Sequence, residues 1–157
     1  MSRREQIQLT ADETDEFLRS SRTIILVSNG KNGFPHPMPM WYLQDDEGRI
    51  LMTTFRKSQK IFNLKRDPRV ALLVESGDVY QELKSVLIEA EAEIIDDLEN
   101  TIDTMFKLSV HRGEASPDQE EVMKDGLRNG VGTKRVVMRF KPLSVVSWDH
   151  KKLAGVY

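Results

Sequence analysis

The stretch "FPHPMPMWYLQ" places Pro35, Pro37 and Pro39 on every second residue. Alternate residues of a strand turn their N–H groups to the same side, and proline has no N–H to offer. All three missing donors therefore fall on one edge. The segment predicts a strand left unpaired along that edge for several residues, or an extended run lining something else.

Strand signals dominate the rest of the chain. "TIILVSN" (23–29) is rich in β-branched residues and ends at the turn signal "GKNG". "DDEG" (45–48) turns into "RILMTT", and "RVALLVE" is a strand of the continuous apolar kind. "SVLIEAEAEII" (85–95) alternates, with Glu89, Glu91 and Glu93 on one face and Ile88, Ala90, Ala92 and Ile94 on the other. "RVVMRF" and "LSVVSW" read as two further strands joined across Lys141 and Pro142. Helices are fewer. Thr10 and Glu13 form a capping box for a helix to about Ser20, and Ser58 is placed to cap a short helix that buries Ile61 and Leu64. Two more are predicted at about 97–110 and 118–129. Consecutive strands joined by tight turns point to a small barrel, not to alternating βαβ units. With no repeat or linker in view, the reading is one domain over 1–157 with a helical insert at about 97–130.

Composition removes several functions. A formal net charge of -2 argues against a general nucleic-acid binder, and the absence of cysteine removes disulfides, thiolate nucleophiles and Cys-based metal sites. No apolar run reaches the length of a membrane span, and the N-terminus lacks a signal-peptide core, so a soluble, cytoplasmic protein is expected. The dinucleotide, P-loop and nucleophile-elbow motifs are missing. His36, His111 and His150 have no ligand spacing and read as surface or packing residues, so no metal is expected. The glutamate row reads as a solvated strand face.

"TTFRKSQK" (53–60) is the densest chemistry in the chain. It gathers Arg56, Lys57 and Lys60 with Thr53, Thr54 and Ser58, and no acid follows until Asp67. At a strand-to-helix corner, free N–H groups of the first turn and the helix dipole favour an anion, and hydroxyls and cations can bond to it. A phosphate cradle is one reading. A capped helix with solvated cations is the other, and the residues alone leave the two even.

A resemblance separates them. "PMPMWYLQDDEGRILMTTFRKSQKIFNLKRDPRVALLVE" followed by "KSVLIEAEAEI" resembles the pyridoxamine 5'-phosphate oxidase-like family of flavin- and deazaflavin-dependent oxidoreductases, and "SWDHKKL" resembles the ending of one of its branches. The resemblance implies a mainly β fold, a six-stranded antiparallel split β-barrel of the FMN-binding type with peripheral helices. It implies a homodimer with a cofactor in each interface cleft and a small-molecule substrate. Thr53, Thr54, Lys57, Ser58 and Lys60 would hold the phosphate end. The strand carrying Met38, Met40, Trp41 and Tyr42 would run along the ring system. Lys84 and Ser85 would reach the cofactor of the partner subunit, with Trp148 near the same cleft.

The implied function is hydride transfer at FMN, with the deazaflavin coenzyme F-420 as the alternative cofactor and haem a more distant one. The near-equal use of lysine and arginine tips the choice toward FMN. No catalytic side chain stands out, although Tyr42 and His36 share a strand face by parity. The ending lacks the arginine and histidine pattern that grips a vitamin phosphate, which sets that particular reaction aside. A non-catalytic flavin or haem/tetrapyrrole carrier is the competing class, and a barrel with a decayed site is a third.

Overall fold

The computed structural model describes residues 2–154. Two helices open the chain, α1 (Arg3–Ile7) and α2 (Ala11–Ser20). Each starts at a complete capping box, Ser2 with Glu5 and Thr10 with Glu13. Strands β1 (Thr23–Asn29), β2 (Pro35–Trp41), β3 (Leu43–Gln44) and β4 (Ile50–Phe55) follow, then α3 (Gln59–Arg66), β5 (Arg69–Ser76) and β6 (Lys84–Ile95). Helices α4 (Leu98–His111) and α5 (Glu120–Arg128) precede the long closing strand β7 (Arg135–Asp149).

The seven strands form one antiparallel sheet in the order β2-β1-β5-β6-β7-β4-β3. The sheet curls into a split barrel. Its two edge strands, β2 and β3, are consecutive in sequence and separated by Tyr42 alone. One extended segment, 35–44, thus pairs with β1 through its first part and with β4 through its last. The six-strand expectation becomes seven because this segment breaks where it passes from one neighbour to the other. At the break Tyr42 is fully buried, and its hydroxyl donates to the Leu18 carbonyl at 2.6 Å. That carbonyl is one of those a helix leaves without an internal partner near its C-terminus.

β2 lies at a sheet edge, as the proline spacing requires, with Pro35, Pro37 and Pro39 exposed and His36, Met38 and Met40 half-buried. A second difference concerns β7. The two strands expected on either side of Lys141-Pro142 are one strand of 15 residues. A bulge opposite Glu89/Ala90 absorbs the irregularity: Glu89 pairs with Ser144 and Ala90 with Pro142. The bulge gives a proline a place within an otherwise continuous ladder.

The barrel core includes Ile24, Leu26, Ile50, Met52, Leu72, Val74, Val86, Ile88, Val136, Met138 and Phe140. Helix α3 adds Ile61 and Leu64. Its fully buried Asn63 donates to Ser28 Oγ on β1 at 3.0 Å, which fixes the helix on the barrel wall. Helix α4 packs against β4, β7 and β3 through buried residues that include Ile102 and Phe106. Ion pairs join α5 to it, Lys124 with Asp103 and Arg128 with Glu99. Among the described residues no helix is long and apolar enough to cross a membrane.

Candidate functional site

The corner between β4 and α3 is set by strand pairing. β4 ends beside the start of β7, so Thr53, Thr54 and Phe55 face Val137, Val136 and Arg135. The chain then turns through Arg56 and Lys57 into α3, and Ser58 occupies the N-cap. Its hydroxyl does not cap the helix. It lies 3.3 Å from Thr54 Oγ1, and among the described residues no side chain accepts from the N–H groups of Gln59 or Lys60 that open the helix.

Lys60 is 8% exposed, and its Nζ donates to Thr54 Oγ1 at 3.2 Å. Arg135 enters from the other side. Its guanidinium stacks 4.3 Å from the Phe55 ring centroid, and Nη1 reaches Thr53 Oγ1 at 3.5 Å. The Nε of Arg135 is buried and meets no hydrogen-bond partner among the described residues. Burial pushes the Lys60 pKa down, and the nearby Arg135 charge pushes it further. Burial alone lowers the pKa of Arg135. Two partly desolvated cations side by side are costly unless an anion joins them. Two threonine hydroxyls and a bare helix start complete a seat suited to a phosphate or similar oxyanion.

This corner opens into a cleft of about 510 Å³. Met40 and Trp41 from β2 form one wall, and Thr53, Thr54 and Phe55 form another. The helical insert closes the third with Met105, Leu108, Ser109 and Arg112 of α4 and its C-cap. Lys60, Arg112 and Arg135 also line it, and among the described residues no carboxylate does.

Of the residues singled out in the sequence, the fold gathers Met40, Trp41, Thr53, Thr54 and Lys60 in this cleft, with Ser58 joined to it through Thr54. Lys57 is exposed and borders a neighbouring recess with Ser58, Thr133 and Lys134. Met38 is half-buried farther along β2 and does not line the cleft. Tyr42 continues the inward face of Met40 into the core, where its hydroxyl reaches the Leu18 carbonyl, and its side chain does not line the cleft. Lys84, Ser85 and Trp148 sit together at the far ends of β6 and β7, with Ser85 opposite Trp148 and Lys84 over the Phe17 ring at 4.7 Å. They lie outside this chain's own cleft.

Arg56 is committed elsewhere. It forms a bidentate pair with Asp96 at 2.9 and 2.7 Å and donates to the Thr133 carbonyl, tying the corner to both ends of the insert. None of the three histidines lines the cleft: His36 borders a recess with Phe34 and Asn63, His111 meets the Ser21 carbonyl, and His150 meets the Tyr80 carbonyl. The glutamate row is exposed, with Glu93 paired to Arg139 and Glu89 bonded to Ser144.

Arg135 and Arg112 were not legible as site residues. Each looks in sequence like an ordinary basic residue at an element's end. Only the β4–β7 pairing and the packing of the insert bring them to the corner.

A curled antiparallel barrel, with cations and hydroxyls gathered where β4 meets α3, defines the class: a split-barrel protein. The family model described as pyridoxamine 5'-phosphate oxidase matches residues 10–148, and the chain belongs to that family. Among solved structures it is similar to a conserved hypothetical protein from Mycobacterium tuberculosis, with 36% identity over 100% of this chain and 95% of that one at a TM-score of 0.86. It also resembles an F420 reductase (21% identity, 83% of this chain and 94% of the other, TM-score 0.65). A haem storage protein from Vibrio cholerae shares the fold at 18% identity, covering 87% and 94% of the two chains, TM-score 0.63. No curated protein matches the chain.

Proposed function

We propose that the protein is an oxidoreductase that holds FMN, or in second place the deazaflavin F-420, in the cleft above the β4–α3 corner and passes hydride to or from a small molecule. The observation that carries this reading is the pair of partly buried cations, Lys60 and Arg135, set beside Thr53 and Thr54 in a cleft that no described residue supplies with a carboxylate. The bound cofactor would supply the hydride chemistry. The chain's own residues do the positioning. Lys60, Arg135, Thr53, Thr54 and the first turn of α3 take the phosphate end. Met40 and Trp41 offer an apolar wall for a flat ring system, and α4 restricts water over it.

Fold likeness to a haem storage protein raises a carrier as the second reading. The absence of all three histidines from the cleft speaks against axial ligation by them there. F-420 would bring an anionic tail, but Arg56, a cation suited to it by sequence, is already paired with Asp96.

The deciding experiment is a visible spectrum of the purified protein followed by parallel titrations with FMN, F-420 and haem. Saturable FMN binding is expected, weakened in Lys60→Ala by about 1.5–3 kcal/mol, the worth of a charge-assisted hydrogen bond. Unchanged affinity in that variant would remove the phosphate seat. Haem binding without flavin binding would replace the enzyme with the carrier.

A further inference from the structure

The cleft holds more positive charge than one phosphate seat uses. Arg112, the C-cap of α4, lies on the insert wall with its guanidinium centre 3.3 Å from the Trp41 ring centroid. Met105 and Leu108 line the same wall, and Met40 lines the β2 wall. The side chain is 18% exposed, and burial holds its pKa below the ordinary arginine value. Its ion-pair partner is Glu114, two residues on, which is exposed and does not line the cleft. A mere staple between α4 and β2 needs no charge, since a leucine or methionine would pack on an indole without the cost of desolvating a cation. A guanidinium held over an aromatic ring can still turn edge N–H groups toward a carboxylate or phosphate, and in Arg112 Nη2 is the one taken by Glu114.

We propose that Arg112 recognises an oxyanion at the insert wall, and that the ligand facing it is a flat, largely apolar molecule bearing a carboxylate or phosphate group. Glu114 is the internal counter-ion that this group displaces. The inference rests on the cleft reading above and deepens it by naming the substrate class. The oxyanion has two possible sources, the substrate itself or the anionic tail of a deazaflavin coenzyme.

The test uses benzoate and benzamide, which match in shape and differ in charge, titrated by calorimetry into the full chain with and without saturating FMN. Benzoate is expected to bind about tenfold tighter than benzamide, the scale of one charge-assisted contact. Arg112→Met should erase that preference, Arg112→Lys should keep part of it, and Glu114→Gln should tighten benzoate binding several-fold by removing the competing carboxylate. Loss of the preference with FMN and F-420 affinities unchanged puts the oxyanion on the substrate. A loss in Arg112→Met of about tenfold in F-420 affinity puts it on the coenzyme tail. A preference that survives Arg112→Met with FMN bound, when the Lys60 and Arg135 seat is filled, overturns the proposal. So does equal or absent binding of the two probes together with unchanged F-420 affinity. A wild-type chain that prefers benzoate yet binds no FMN defeats the oxidoreductase reading and leaves this one standing.

Discussion

Lys60 and Arg135 show how a binding corner differs from a stabilising one. Each is partly removed from water, no described residue brings a carboxylate into the cleft, and their charges repel. Replacing such a cation with an apolar chain of similar length relieves desolvation, so Lys60→Met should unfold in urea within about 1 kcal/mol of the wild type, or later, while losing cofactor affinity. A large loss of stability would mean that Lys60 serves the fold. The pH dependence follows from the same cause. Because the folded-state pKa of Lys60 lies below the ordinary 10.5, the unfolded chain holds that proton to higher pH. This residue's contribution to stability therefore rises with pH between the folded and unfolded values. Cofactor affinity should move the opposite way, falling as pH climbs through the depressed value. In Lys60→Arg that fall should shift to higher pH, which a fluorescence titration at several pH values would detect.

Two contacts at the scale of elements decide how the cleft is built. The break between β2 and β3 is pinned by Tyr42, whose hydroxyl satisfies a carbonyl in the last turn of α2. Tyr42→Phe leaves that buried acceptor unpaired and should cost about 1–3 kcal/mol in urea unfolding, with cofactor affinity unchanged. A change in affinity with unchanged stability would return Tyr42 to the site. Arg56 joins the β4–α3 corner to Asp96 before α4 and to Thr133 after α5. Arg56→Ala should leave the barrel folded and raise hydrogen exchange across α4 and α5, because the surface pair orients the insert more than it stabilises the molecule. Gly132 belongs to the same device. A Cβ there would meet the Leu127 carbonyl oxygen at 2.6 Å, so Gly132→Ala should loosen the insert as well.

The whole molecule raises the question of what Lys84, Ser85 and Trp148 do at the far ends of β6 and β7. In the homodimer we propose, with clefts at the interface, they would reach the partner's cofactor, and that would account for their distance from this chain's own corner. Light scattering should therefore give a dimer at micromolar concentration, and Trp148→Ala should weaken FMN binding without altering the secondary structure. A clean monomer that still binds FMN tightly would overturn the interface site.

The sequence by itself determined most of the elements and half of the corner. Alternating prolines made an edge strand, alternating glutamates set a strand face, and the capping box started α2, because each of these is a local rule of backbone and period. Thr53, Thr54, Ser58 and Lys60 were legible because they lie within one short turn of chain, where spacing alone implies proximity. Only the tertiary structure decided the rest. By parity Tyr42 belongs with Met38 and Met40, and it carries their inward face on into the core, an outcome that spacing alone does not separate from facing a ligand. Lys141-Pro142 looked like a turn until a bulge in the β6–β7 ladder absorbed it. Arg135 and Arg112 entered the cleft from elements distant in sequence, and which distant residues meet is set by strand pairing and helix packing that no local pattern encodes.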